Sequence, residues 1–109
     1  MGPFAFDHRA EPKDAHDLCY CLEHYKGGTE ALRSLLEAAL TGKHTETVKT
    51  AIGILARRFC DGDGYEGYQK DGPVAATRFE GAEDWNTNNR ILRQRDLSAV
   101  VQDAIAPFI

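Results

Sequence analysis

"DGDGYEGYQKDGPVAATRFEGAED", residues 61–84, is the stretch whose reading decides the fold of this chain. If it is an irregular insertion, the chain is a helical body carrying an appendage. If it is structured, the core has another member. Its letters point first to an insertion. Twenty-four residues are too many for a plain connector in a compact domain. Asp71-Gly72 is a turn signal, and "GYEGYQ" before it and "VAATRF" after it can pair as a short β-hairpin. Pro73 confines such pairing to an irregular or edge arrangement.

Two motif resemblances in this stretch fail on position. A calcium loop counted from Asp61 needs oxygen donors at its first, third and fifth places, glycine at the sixth and glutamate at the twelfth. Tyr65, Glu66 and Gly72 stand at the fifth, sixth and twelfth. "GDGYEG" at 62–67 spells G-x-G-x-x-G, but that motif cradles phosphate only between a strand and a helix N-terminus. Here it follows an expected helix C-terminus and carries acids, so a phosphate would be repelled.

Outward from this stretch the chain reads as helices. Proline at the first helical position, Pro12, starts one with Ala15, Leu18, Leu22 and Tyr25 on a stripe, and Gly27-Gly28 stops it. Thr29 is the expected cap of a second, with Leu32, Leu35, Leu36 and Ala39 on one face. Thr45 begins a third, whose stripe is Val48, Ala51, Ile52, Leu55 and Phe59. Gly53 inside it suggests a close approach of another helix. "WNTNNRILRQR" is a shorter helix capped by Asn86 or Thr87. Asp96 then caps "LSAVVQDAIAPFI", the strongest stripe in the chain. Ile91 and Leu92 fall out of phase with Leu97 and Val101, so a bend or break is expected near Arg95. The fold class is therefore all-α: a single domain over 1–109, a four- or five-helix bundle with an acidic loop or short β-hairpin insertion around 61–84 and an extended arm at 1–11. Phe4 and Phe6 of the arm are expected to dock on the body.

Composition narrows the function. The 109 residues are 42% hydrophobic and 28% charged, with net charge -4 and pI near 5.5. That is ordinary globular composition, and it disfavours general affinity for nucleic acid, which needs clustered Lys and Arg. Three cysteines exclude a full disulfide framework. The first residues show no signal-peptide pattern and no stretch approaches transmembrane length, so a cytoplasmic location with no membrane partner is expected.

"HDLCYCLEH" at 16–24 invites a metal reading through His16, Cys19 and His24. Cys19 and Cys21 point about 200° apart on a helix and cannot share an ion, and no acid fills the slot between the histidines that a zinc protease motif needs. Cys60 lacks a thiol-hydrolase context, and no serine elbow or carboxylate pair is visible. A helix-turn-helix, with helices at about 30–40 and 45–60, is the alternative function, a DNA-binding transcriptional regulator. Glu37 and Lys43 stand where that motif wants apolar residues.

Charge segregation is the remaining signal. Residues 61–84 hold seven acids against Lys70 and Arg78, net -5, together with Tyr65, Tyr68 and Phe79, and Trp85 follows. Aromatic residues amid charge suit a protein interface. The expected function is a non-enzymatic protein–protein interaction factor without cofactor (an adaptor, inhibitor or immunity-type protein). It would bind a basic partner surface through Asp61, Asp63, Tyr65, Glu66, Tyr68 and Trp85. Arg90, Arg93 and Arg95 form a basic cluster that reads as a solvated helix face, as a partner of the acidic segment, or as a contact for nucleic acid or an acidic partner. The C-terminal stripe, Phe108-Ile109 and the Phe4/Phe6 arm together offer more apolar surface than one small bundle buries, which raises the further expectation of self-association as a homo-oligomer.

Overall fold

The structure, a computed structural model, describes residues 12–62 and 64–109. The expected docking of Phe4 and Phe6, and the placement of Asp63, lie outside the described residues. Among the described residues five α-helices follow in order: α1 (Pro12–Glu23), α2 (Gly28–Leu40), α3 (Thr45–Phe59), α4 (Asp71–Phe79) and α5 (Thr87–Ile105). Short 3-10 turns occupy Gly67–Gln69, Ala82–Asp84 and Ala106–Phe108. Among the described residues there is no strand, and none of the helices is long and apolar enough to cross a membrane.

The all-α reading holds, but the loop-or-hairpin reading of 61–84 does not. Its nearest approach to a hairpin is one isolated antiparallel bridge, where Gly62 and Tyr65 exchange two backbone hydrogen bonds of 3.0 Å. Beyond it the chain forms α4. Pro73 sits in the first helical turn, where a missing N–H leaves no intrahelical acceptor unfilled. The first intrahelical bond runs from the Val74 N–H to the Lys70 carbonyl at 3.3 Å. Asp71 stands at the N-terminal end and Arg78 in the last turn, each favourable to the helix dipole. Gly81, with φ 87°, lets the chain turn away after the helix.

Burial is what holds so short a helix, since nine residues are marginal alone. Gly72, Pro73, Ala75, Ala76 and Thr77 are all buried. This small-residue face packs most extensively against α1 and also against α3 and α5. A Cβ on Gly72 would come within 2.6 Å of the Phe59 ring, so only glycine lets α4 lie on the end of α3.

α5 is the centre of the molecule and packs against each of the other four helices. The expected break near Arg95 is absent, and Asp96 is an exposed residue in mid-helix rather than a cap. The inner face runs through Gln94, Leu97, Ser98, Val101, Ala104 and Ile105, in unbroken three- and four-residue steps. Two of these are polar, and with them the face continues where Ile91 and Leu92 leave the apolar phase. Gln94 donates to the Tyr68 carbonyl at 2.8 Å, and the Ser98 hydroxyl donates to the Phe59 carbonyl at 2.6 Å. Leu92, out of phase with Leu97 and Val101 in the sequence, is exposed. The N-cap is as read: Asn86 Oδ1 accepts from the Asn89 N–H at 2.8 Å.

The core joins Leu18 and Cys19 of α1, Ile52, Leu55 and Phe59 of α3, Ala75 and Ala76 of α4, and Leu97, Val101 and Ile105 of α5. α2 is peripheral. Leu32 is its one buried residue, and Leu35, expected in the core, is 52% exposed. α2 starts at Gly28, so Thr29 lies inside it and is not its cap. Gly53 faces outward, and a Cβ there would meet nothing within 4 Å; the close helix approach expected at that position does not exist. Of the C-terminal stripe that suggested self-association, Leu97, Val101, Ala104 and Ile105 are buried within the chain, and among the described residues Leu35, Leu92 and Ile109 are exposed aliphatic side chains.

Candidate interaction site

The segment before α4 is pinned at several points. Asp61 accepts the Gly67 N–H at 2.6 Å through Oδ1, and its own N–H donates to Gln102 Oε1 at 3.3 Å. Gly67 is buried against the α3 end, where a Cβ would run into the Phe59 carbonyl and the Ser98 hydroxyl. Gln94 holds the next carbonyl, that of Tyr68. Tyr68 therefore stands on a fixed backbone, and its ring carries the Arg95 guanidinium 4.7 Å from the centroid.

Around this pair is a cleft of about 440 Å³, lined by Asp61, Glu66, Tyr68, Arg95, Gln102 and Asp103 among others. Of the six residues expected to bind a partner, Asp61, Glu66 and Tyr68 come together here. Tyr65 is at the neighbouring turn, 66% exposed, and does not line the cleft. Trp85 follows the 3-10 turn Ala82–Asp84, is 38% exposed, and does not line it either. Apart from Ala106, the cleft residues that sequence reasoning missed lie on α5, and the i, i+3, i+4 relation of Arg95, Ser98, Ala99, Gln102 and Asp103 becomes a face only once the helix is continuous.

Much of the acidity of this region is used internally. Arg58 pairs with Asp71, Arg78 with Glu83 at 3.5 Å, and Arg93 with Glu80 at 3.0 Å. Arg33 of α2 donates to the Asp103 carbonyl and lies 3.2 Å from its carboxylate. Among the described residues Glu66 forms no ion pair, so its charge is the one in the cleft most available to a partner.

The residues of the metal reading also meet, in a different cleft of about 250 Å³ lined by His16, Cys19, Tyr20, Glu23, His24, Glu80, Arg93 and Leu97. Its cation is a guanidinium. Arg93 bonds Glu80 through Nε and Nη2 at 3.0 Å and Glu23 through Nη1 and Nη2 at 3.1 and 3.3 Å, and the two carboxylates raise its affinity for its proton. Burial pushes the Cys19 thiol up to about 12, the wrong direction for a metal-binding thiolate. No group of three or more His, Cys, Asp or Glu among the described residues is arranged to hold a metal ion. His16 stacks on Phe79 at 4.8 Å, and His24 on Tyr20 at 4.4 Å. Cys21 is exposed on the opposite side from Cys19, as helical geometry requires.

Cys60 is buried at the end of α3, and burial raises its thiol to about 11. The outward face of α3, where a recognition helix would read a groove, carries Glu46 3.9 Å from Lys49. No family model, curated protein or solved structure matches the chain.

Proposed function

We propose that this chain is a non-enzymatic interaction protein, an adaptor, inhibitor or immunity-type factor, that docks on a basic surface of another protein through the 61–68 segment and the adjoining face of α5. The observation that carries this reading is Tyr65, an aromatic side chain 66% exposed at a tight turn, directly before Glu66 and the acid-lined cleft. Hydrogen bonds from Gly67 and Gln94 hold the backbone around Tyr68 in place. A ring presented on a fixed backbone loses little entropy on binding, which is what makes such residues anchors. Carboxylates beside it select a basic partner and speed encounter.

The test is affinity capture with the wild type and with Tyr65→Ala/Glu66→Lys, both at low salt. Both substitutions are at exposed positions, so the melting temperature should stay within about 2 °C of wild type. Loss of a specific captured protein in the variant, with retention in a Lys49→Glu control on α3, is the expected result. Equal capture by all three proteins removes the assignment of this surface.

A further inference from the structure

The cleft beside α5 already contains a cation, and that cation belongs to the chain. Arg95 places its guanidinium over the Tyr68 ring at 4.7 Å, inside a pocket that Asp61, Glu66 and Asp103 also line. Among the described residues Arg95 forms no ion pair with any of them. Its attachment is thus the ring face alone, a contact that is weak where water reaches it. The platform beneath is rigid: Gln94 and Ser98 are buried and bonded to the Tyr68 and Phe59 carbonyls, and Gly67 is wedged against both partners of the second bond.

A rigid aromatic face, a weakly held guanidinium upon it and a carboxylate without an ion-pair partner describe an arginine site with an internal occupant. We infer that the cleft receives an arginine side chain of the partner, which takes the place of Arg95 on the Tyr68 ring and pairs with Glu66. The occupant is arginine rather than lysine because a planar guanidinium can stack on the ring and still present its edge to a carboxylate. Arg95 acts as a competitor that keeps the ring covered when no partner is present. The inference rests on the docking surface proposed above and names the group that the surface recognises.

The probe is N-acetyl-arginine amide, titrated into the isotope-labelled protein and followed through the backbone amides of residues 64–69 and 95–106. The wild type should show weak, saturable shifts in both stretches. Arg95→Gln should bind about three-fold more tightly, the size of an exposed cation–ring contact no longer in competition. Tyr68→Leu should lose the binding while its amide spectrum keeps the dispersion of the wild type, because Gln94 bonds the backbone at this position and not the ring.

Arg90→Gln removes the same charge from α5 but from a separate cleft with Gln69 and Thr77. An equal gain in Arg90→Gln overturns the inference, since the effect would then be net charge. So does equal binding of N-acetyl-lysine amide, or an absence of shifts in both wild type and Arg95→Gln. The two readings fail separately. A captured partner whose affinity is unchanged by Arg95→Gln and Tyr68→Leu removes the arginine site and leaves the docking surface standing.

Discussion

Two glycines in this chain carry opposite instructions, and the letters alone do not distinguish them. Gly53 looked like a contact point because glycine in a helix costs about 1 kcal/mol relative to alanine and usually has a reason. It faces solvent, with open space where a Cβ would be. Gly67 looked like one letter of a failed phosphate motif, yet it is the residue on which the acidic segment seats. Gly53→Ala should therefore raise stability by about 0.5–1 kcal/mol, through the less flexible unfolded chain and the better helix former. Gly67→Ala should lower it by roughly 1–3 kcal/mol, because the Phe59 carbonyl and Ser98 must shift to admit a methyl group. Urea midpoints of the two variants check both signs. A neutral Gly67→Ala would mean that the segment is not seated on α3.

At the scale of elements, the helices with apolar stripes were legible and the helix with a small-residue face was not. α1 and α3 followed from leucine, isoleucine and aromatic periodicity. α4 offered Gly72, Ala75 and Ala76 instead, which fill a narrow space and have little hydrophobic contrast. Its start and stop signals were present in Asp71, Pro73, Arg78 and Gly81, but Asp-Gly-Pro also spells a turn. α5 reads as two helices because Ile91 and Leu92 are out of phase with Leu97 and Val101, and the face that runs on is completed by the polar Gln94 and Ser98. Their partners are carbonyls some 26 and 39 residues away in sequence, so nothing local marks them as core. The same long reach applies to Arg93, which joins Glu23 at the end of α1 and Glu80 just after α4 to α5. Arg93→Met should leave two carboxylates facing each other in a partly buried cleft and cost about 2 kcal/mol, or roughly 10 °C in melting temperature. Adding Glu80→Gln to that variant should recover part of the loss, as measured by thermal unfolding; a loss that persists unchanged assigns the effect to packing of the arginine stem.

For the whole molecule, one core to which α1 to α5 all contribute sets the chemistry of the thiols. Burial raises Cys19 to about 12 and Cys60 to about 11, from an ordinary value of 9.0, and Cys21 is exposed. In the native protein one thiol of three should react quickly with an aromatic disulfide reagent at neutral pH, and all three after denaturation. The sign for stability follows from the same directions. Both thiols are neutral in either state below about pH 9, so their contribution is intact there. Above that the unfolded chain ionises first, and stability declines until the folded values near 11 and 12 are passed. Urea midpoints from pH 8 to pH 11 should fall, and less steeply in Cys60→Ser. A flat profile would show that Cys19 and Cys60 are not buried in solution.

What the sequence determined by itself is the part of this protein encoded by neighbours along the chain. The helical class, the Pro12 start of α1, the extent of α3 and a cap at Asn86 or Thr87 all rest on contacts within a turn or two. So does the opposition of Cys19 and Cys21. Tertiary structure alone decided that residues 61–84 contribute a helix to the core, that α5 runs unbroken, and that Tyr68, Glu66 and Arg95 share one cleft. It also decided that most acids of the segment are answered within the chain. Each of these depends on a small or polar residue whose worth comes from a partner distant in sequence: a glycine under a ring, a glutamine on a carbonyl, a guanidinium between two carboxylates. Periodicity detects an apolar face, but it does not say what a small or polar residue will touch.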